Sequence, residues 1–595
     1  MCGIFAISGN SNDAGSRTLR GLKKLEYRGY DSWGVTVREE SGEISIQKEI
    51  GKISNLNIEF PAGSEAIGHS RWATHGGVTQ ANAHPHTIGD TTIVHNGICE
   101  NYLQLKQELK QYTFHSETDT EILGALIDSI FQTTKDPKQA IQQAAEKVSG
   151  RFAILVMFKG LPGIYAARRG SPLIIGRGET ETYIASDIPA FLKMTNTVNY
   201  LDDNELVLIE KETAQFFDLN TLESIEKRNI EVPWKVEDAD KGDYPHFMIK
   251  EIFDQKETIE AAINHDDSWL TKAVSLLYKT NGAYLIACGT SHKVAMAAEY
   301  FFAEIAGKKV NVVPASEMPA FEKFVHDRTA LIVISQSGET ADIMEVVEQA
   351  QTKGAKILAL TNVESSSLAR MADVHLSINA GPEKAVASTK AATAQMALMY
   401  LLSFGLTVDK YDFDGLEENF RHEFNKGRTI LRNAAASIND LLNPRYEDHI
   451  RLVAEKIFEQ NRIFIIGRGS LYPMALEAAI KIQEVSYIAA MGFAAGELKH
   501  GPIALIEKGI PCIVFGDDHE TLSNAMELKS RGAMIIGVAP NNAEVFDEWL
   551  RVPDCNGAQP IASIIPVQIL AYHLAVLRGL DPDMPRNLAK SVTVK

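Results

Sequence analysis

The sequence predicts an α/β protein of several domains whose second half is two doubly wound, parallel-sheet domains. Three observations lead there. The chain has 595 residues, too long for one ordinary core and enough for roughly three or four domains. An internal repeat runs through its second half. Ala283 to Ser291 (AYLIACGTS) and Arg462 to Ser470 (RIFIIGRGS) are both apolar strand runs closing on a Gly-rich turn, offset by 179 residues. Ala315-Ser316-Glu317 pairs with Ala495-Gly496-Glu497 at an offset of 180, and Gly354 to Leu358 with Gly532 to Ile536 at 178. A near-constant offset over three landmarks marks a duplication. Finally, each copy alternates apolar strands with helices, the pattern of a parallel sheet covered on both faces.

Composition narrows the class. Hydrophobic residues at 45% and charged residues at 23% describe a packed globular chain. With 59 basic against 77 acidic residues the net charge is −18, and no basic block interrupts it. That excludes nucleic acid and anionic membranes as natural partners, so an anionic substrate needs a local site. The five cysteines, Cys2, Cys99, Cys288, Cys512 and Cys555, form no CxxC pair, which points to a reducing compartment and to no metal site. No cofactor is expected. No basic stretch followed by an apolar one opens the chain, and the longest apolar run, Ala562 to Leu577, is broken by Gln568 and His573. A cytoplasmic protein without a membrane span is expected.

In the first half, Cys2 follows Met1 and leads into the strand-like run Gly3 to Gly9. Were Met1 removed, the Cys2 thiol would lie beside its own α-amine, whose reference pKa of about 7.7–8.0 suits a general base. The other reading of Cys2 is a small buried hydrophobe. Leu19 to Tyr27 has helical spacing and runs into the polar turn Glu26 to Ser32. Gly68 to Gly77 (GHSRWATHGG) is too polar for a core strand and reads as a loop that grips a ligand. Thr92 to Gly97 is β-rich and ends in Asn96-Gly97. Asn-Gly makes a tight turn, or it aims an amide and an N–H at one oxyanion. Ser116, with Glu117 and Asp119, caps a helix over Glu121 to Phe131. Phe152 to Phe158 and Leu206 to Ile209 read as strands, and Arg168 to Leu173 and Ala185 to Asp187 as structural turns.

Together, Cys2-Gly3-Ile4, Leu25 to Ser32 (LEYRGYDS), Gly68 to Gly76, His95-Asn96-Gly97 and Ser116 to Glu121 (SETDTE) resemble the glutaminase domain of the N-terminal-nucleophile amidotransferases. The resemblance implies a four-layer αββα sandwich over residues 2–235. It implies Cys2 as the nucleophile that attacks the side-chain amide of L-glutamine, releasing ammonia. By the same matching, Asn96 and Gly97 form the oxyanion hole, Arg71 holds the glutamine carboxylate and Asp119 its α-ammonium. Thr74 and His75 line the pocket, and Trp72 gates the passage of ammonia.

The charged, non-periodic run Val232 to Tyr244 (VPWKVEDADKGDY) marks a linker, placed at 236–245, before a helical pattern from His246 to Ile252. In the first repeat the strand Ala330 to Ile334 is followed by Ser335-Gln336-Ser337-Gly338-Glu339-Thr340; the second repeat has Gly516-Asp517-Asp518-His519-Glu520-Thr521 there. The first set of hydroxyls and N–H groups at a helix start, with Thr290 and Ser291 at the neighbouring strand end, suits a phosphate. The aspartates of the second would repel one. An ordinary capped helix is the competing reading.

Both repeats resemble the sugar isomerase domain family. Paired with the glutaminase half, they are similar to the amidotransferases that aminate and isomerise fructose 6-phosphate. Ala387-Ser388-Thr389-Lys390, Ala494 to Pro502 (AAGELKHGP) and Arg586 to Val594 (RNLAKSVTV) carry that likeness. It implies sugar isomerase domains at 246–425 and 426–585 and a catalytic tail at 586–595. Lys590 would form a Schiff base with the open-chain sugar, His500 would assist ring opening, and Glu484 would shuttle the proton between C1 and C2. Lys481, three residues earlier on one helical face, would position Glu484 or polarise an oxygen. Thr290, Ser291, Ser335, Gln336, Ser337, Thr340, Val386, Ser388 and Ala589 would bind the sugar phosphate. A lysine that reacts must lose its proton, which requires partial burial, so the tail is expected to pack over the sugar. A homodimer is implied, with the histidine supplied by a neighbouring subunit. The product would enter amino-sugar synthesis. Lys384-Ala385, His292-Lys293 and Ser470-Leu471 depart from the common pattern of the family and bear on sugar preference. Amination of another ketose phosphate, and a phosphosugar-binding regulator, are the alternatives.

Overall fold

The computed structural model describes residues 2–54, 56–232, 241–364, 366–408 and 416–591. Half of the expected linker (236–240), Met1 and the last four residues of the tail lie outside the described residues. The chain divides into two compact units, one of residues 2–232 with 589–591 and the other of residues 241–588.

The first unit has two antiparallel sheets. One has eight strands, with β1 (Gly3–Gly9) and β2 (Glu65–Arg71) side by side at its centre, and the other has seven, including β3 (Thr91–Gly97). Every residue of β1 is buried, and the two-residue period of a strand explains why all are apolar or small. Ile4 and Ala6 point between the sheets, where they meet Val94, Leu155 and Val207. Phe5 and Ile7 point the other way, under Leu19 and Leu22 of the helix Ala14–Lys24. The second sheet is covered on its outer face by α1 (Asp119–Thr134) and the helix Pro137–Lys147, through Ile122, Leu126 and Ile141 against Ile93 and Ile154. This is the expected four-layer αββα sandwich. The helix start differs from expectation. Thr118, not Ser116, is the cap: its hydroxyl accepts the Glu121 N–H. Ser116 is instead engaged by the Glu121 carboxylate, donating its N–H and hydroxyl to it at 2.7 and 2.8 Å.

The second unit holds two five-stranded, wholly parallel sheets. The first contains β4 (Gly282–Ala287) and β5 (Thr329–Ser335), followed respectively by α2 (Gly289–Ala306) and α3 (Ala341–Thr352). The second contains β6 (Arg462–Gly467), followed by α4 (Tyr472–Ser486). In each sheet the strand order, counted from its own first strand, is 2-1-3-4-5, so the duplication read from spacing is a duplication of topology. One continuous apolar core joins both repeats, running from Met248 to Ala575. The division expected at 425/426 falls inside a continuous helix, Leu416–Leu441; the composition there is helix surface, which carries no boundary signal. The helix α5 (Gln559–Leu577) is long and apolar enough to cross a membrane but is buried inside this unit. Gln568, the polar interruption noted in the sequence, accepts from Gln255 at 2.8 Å.

Candidate active sites

In the first unit the thiol is placed by strand pairing. Gly3 lies opposite Ser70, so Cys2 falls beside the loop that leaves β2 after Arg71. The Trp72 N–H donates to Cys2 Sγ at 3.1 Å, and the thiol lies 3.4 Å from the Trp72 carbonyl. Burial raises the Cys2 pKa, while the Trp72 N–H and the Arg71 charge pull it back toward the thiolate. Asn96, near the end of β3, donates from Nδ2 to the Cys2 carbonyl at 2.9 Å. Asn96 and Gly97 are not a hairpin turn. They still pair with Ala153 and Phe152, and Gly97 holds φ +136°, where a Cβ would stand 2.0 Å from the Arg151 carbonyl oxygen. Only glycine fits.

The Arg71 guanidinium is buried and donates to the carbonyls of His75, Gly76 and Gly77, curling the loop around a fixed positive charge. Asp119 opens α1, is buried, and accepts the Cys99 N–H at 2.7 Å. Thr74 is exposed at the rim, and His75 stands edge-on to Tyr102 at 5.4 Å. Trp72 is braced edge-on by Tyr30 at 5.7 Å, and the Ala73 N–H is held by Asp31 at 2.8 Å. Cys2, Arg71, Trp72, Thr74, His75, Asn96, Gly97 and Asp119 all line one pocket, so each first-half residue singled out in the sequence reaches the same place. It combines a thiol, an amide, a buried cation and a buried carboxylate.

Sequence reasoning missed several supports of this pocket. Arg28 lies 3.5 Å from the Cys2 carbonyl through Nε and pairs with Asp187 at 3.1 Å. Tyr27 donates to the same Asp187 at 2.5 Å, and Ser186 accepts the Ile4 N–H at 3.1 Å. The segment read as a structural turn thus anchors the strand behind the nucleophile. His69 contacts Asn96 from beneath. Its position within the dense polar run was the available signal.

In the second unit, Thr290 and Ser291 occupy the first turn of α2, and the run from Ser335 to Thr340 joins β5 to α3. The loop winds tightly: Ser335 Oγ accepts the Gly338 N–H at 3.0 Å and lies 3.4 Å from Thr340 Oγ1, Ser337 accepts the Glu339 N–H at 3.2 Å, and the Gln336 carbonyl accepts the Asn362 N–H at 3.0 Å. Gly338 has φ +65° and a Cβ there would strike Ser366. Thr340 caps α3 without a side-chain bond to the helix, its hydroxyl lying instead against Ser335 Oγ. In the second repeat the equivalent loop is closed on itself, with Asp518 capping its helix by accepting the Thr521 N–H at 3.0 Å. Ser388 donates to the buried Glu383 at 3.1 Å, and the Val386 N–H donates to the Asp583 carbonyl at 3.0 Å.

Lys481 and Glu484 do share a face of α4, but not as a surface pair. Lys481 is 0% exposed and lies 2.7 Å from Glu484 and 3.5 Å from Glu477. Burial opposes the ammonium charge, yet the two carboxylates outweigh it and hold Lys481 above the ordinary lysine value. Glu477, absent from the sequence reading, is buried; burial chiefly, with Glu484, raises it to about 7, against the pull of Lys481. One of its oxygens accepts from Thr290 at 3.0 Å, and the other has no hydrogen-bond partner among the described residues. A buried ammonium thus stands between two carboxylates on one face of α4. His500 is exposed and directly follows the 3-10 helix Glu497–Lys499. Ala589 and Lys590, both half-buried, group with the first unit.

Comparison with known proteins places both halves. A glutamine amidotransferase domain family matches residues 70–193, and the SIS domain family matches twice, at 276–403 and 456–578. The glutamine–fructose-6-phosphate aminotransferase (isomerizing) of Thermococcus kodakarensis is 39% identical over 614 residues, covering 100% of both chains. That of Pyrococcus horikoshii is 40% identical over 617 residues, again with 100% of each covered. Among solved structures, the C-terminal domain of glucosamine–fructose-6-phosphate aminotransferase from Francisella tularensis superposes with a TM-score of 0.53 at 31% identity, covering 58% of this chain and 99% of that one. The chain belongs to the glutamine–fructose-6-phosphate aminotransferase (isomerizing) family.

Proposed function

We propose that the chain takes ammonia from the side chain of L-glutamine and uses it to convert fructose 6-phosphate into glucosamine 6-phosphate. The observation that carries the reading is the first-unit pocket, where the Cys2 thiol, the Asn96 amide, the Arg71 cation and the Asp119 carboxylate converge. Once Met1 is removed, the Cys2 thiol gives its proton to its own α-amine and attacks the glutamine amide carbon. The Asn96 Nδ2 and the Gly97 N–H receive the oxyanion, the α-ammonium returns the proton to the departing nitrogen so that ammonia leaves, and water hydrolyses the thioester to glutamate.

In the second unit, the Ser335–Thr340 loop with Thr290, Ser291 and Ser388 binds the phosphate. His500 promotes ring opening, Lys590 condenses with C2 of the open-chain ketose with loss of water, ammonia displaces the Lys590 nitrogen to leave the imine at C2, and Glu484 carries the proton from C1 to C2 with Lys481 fixing its position. The exposure of His500 suits its delivery to the site of a second subunit in a homodimer. Ammonia would protonate in water, so a closed route past Trp72 to the sugar is expected. No cofactor takes part, and the cytoplasm is the proposed compartment.

The test is mass spectrometry of the purified full chain with fructose 6-phosphate and glutamine carrying 15N in its side-chain amide, run with and without excess unlabelled ammonium. Labelled glucosamine 6-phosphate that free ammonium barely dilutes supports both the reaction and the closed route. Glutamate without an aminated sugar refutes the sugar assignment, and other ketose phosphates are then the substrates to try.

A further inference from the structure

His69 lies in the middle of β2 and is wholly buried. Its Nε2 stands 3.0 Å from Asn96 Oδ1 and 3.1 Å from the His95 carbonyl oxygen. Both neighbours can only accept, so Nε2 must carry the proton. Burial, and the nearby Arg71 charge, lower the His69 pKa to about 3, leaving the ring neutral with a single N–H. Its other nitrogen, Nδ1, has no hydrogen-bond partner among the described residues, and the ring lies against His84 with centroids 4.2 Å apart. The tautomer is therefore dictated by the acceptors on one side.

The consequence falls on Asn96. A side-chain amide can present either its oxygen or its NH2 to a pocket, and the two orientations have opposite effects on a developing oxyanion. With Oδ1 occupied by the His69 N–H, Nδ2 is turned to the Cys2 side, where it donates at 2.9 Å to the Cys2 carbonyl. A reversed amide would put Oδ1 against that carbonyl and Nδ2 against a donor, losing both bonds.

We propose that His69 is a positioning residue of the glutaminase reaction, holding the Asn96 amide with its NH2 toward the carbon attacked by Cys2. The inference rests on the reading of Cys2 and Asn96 given above. It needs no contact between His69 and substrate, because His69 acts through the amide.

The full chain is compared with His69→Phe, His69→Gln, Asn96→Ala and the double variant His69→Phe/Asn96→Ala. Glutamine hydrolysis, Cys2 alkylation by iodoacetamide, and inhibition by the aldehyde analogue of glutamine are measured on each. His69→Phe lowers kcat by about ten- to a hundredfold with KM changed less than about threefold, because the lost interaction belongs to the transition state. The aldehyde, which becomes an oxyanion when Cys2 adds to it, weakens in step with kcat/KM, whereas alkylation proceeds at the wild-type rate. His69→Gln, which retains an N–H donor, recovers most of the loss. In the Asn96→Ala background His69→Phe adds no further loss.

An equal loss in that background, a KM that rises in step with the damage, or full turnover by folded His69→Phe would overturn the proposal. Should His69→Phe fail to fold, 15N-histidine NMR of the wild type decides. A His69 resonance of the Nε2–H tautomer supports the assignment, and an Nδ1–H tautomer or an imidazolium at neutral pH overturns it. A wild-type chain that alkylates at Cys2 yet turns over no glutamine overturns the reading of the pocket itself, a result distinct from active wild type with neutral variants.

Discussion

Thr290 donates its hydroxyl to Glu477 across 3.0 Å, and this one bond joins the first turn of α2 in the first repeat to α4 in the second. Glu477 in turn faces Lys481, and Lys481 faces Glu484. The proposed phosphate side and the proposed acid–base side of the sugar site are thus consecutive members of one polar chain within the second unit. Such a network responds as a whole when one member is changed.

The Glu477 carboxyl gives that network a pH signature. Its folded-state pKa, raised to about 7 by burial, lies above that of the unfolded chain. Below the unfolded value both states hold the proton; between the two values only the folded state does. The slope of unfolding free energy with pH is then negative, so this group's contribution is fully present in acid and is lost as pH rises through about 7. Glu477→Gln should remove the loss. Urea titrations of wild type and variant between pH 5 and 8 should show the difference between them growing with pH; a constant difference would refute the shift.

Division of labour between the units is tested by two substitutions. Cys2→Ala should abolish glutamine hydrolysis and glutamine-dependent product while leaving some conversion of fructose 6-phosphate to the aldose. Lys590→Ala should leave glutamine hydrolysis in place and stop amination of the sugar. Glutamate release and aminated sugar are assayed separately. Amination surviving in Lys590→Ala would remove the Schiff-base role.

At Gly97 the backbone itself is the test. With φ +136° and the Arg151 carbonyl 2.0 Å from where a Cβ would sit, Gly97→Ala strains a non-glycine residue by about 1–3 kcal/mol before the clash is counted. The β3 end must shift, carrying the Gly97 N–H from the oxyanion. Calorimetry should show the first unit melting earlier, and glutamine turnover should fall by about 10²–10³. Wild-type turnover by Gly97→Ala would show that this N–H is not a donor to the oxyanion.

What the sequence made legible follows from where its signals are local. β1 is buried on both faces, so its run of apolar and small residues announced a strand; the repeat, with offsets near 180, announced two similar sheets. The pocket residues sit in short polar clusters at the ends of β2 and β3, in the loop after β2 and at the start of α1, and could be singled out one by one. Other features depend on contacts distant in sequence. Lys481 and Glu484 look like an exposed helix pair until α4 is buried against α5 and α2, and Asp187 looks like a turn until Arg28 and Tyr27 close on it. The choice of Thr118 over Ser116 as the cap hung on which hydroxyl the Glu121 carboxylate engaged, and spacing alone does not carry that.

Lys481 is the residue whose loss the second unit should tolerate least. It is fully buried, within 3.5 Å of two carboxylates, and Lys481→Met leaves those carboxylates facing one another without a cation. Breaking a buried pair by removing one partner costs about 3–5 kcal/mol, because the remaining charge is stranded. Protonation of Glu477 offers partial relief, since its proton is already easily held at about pH 7. Lys481→Met should therefore be most destabilising above neutrality, and Glu477→Gln introduced with it should restore much of the stability, by removing one of the two stranded charges. The same double variant should not regain sugar isomerisation, because Glu484 would still lack the ammonium that fixes its carboxylate. Denaturant unfolding at pH 6 and pH 8, beside an isomerase assay, separates the two effects. Additive losses in the double variant would show that Lys481 is held by packing alone and does not bridge the two acids.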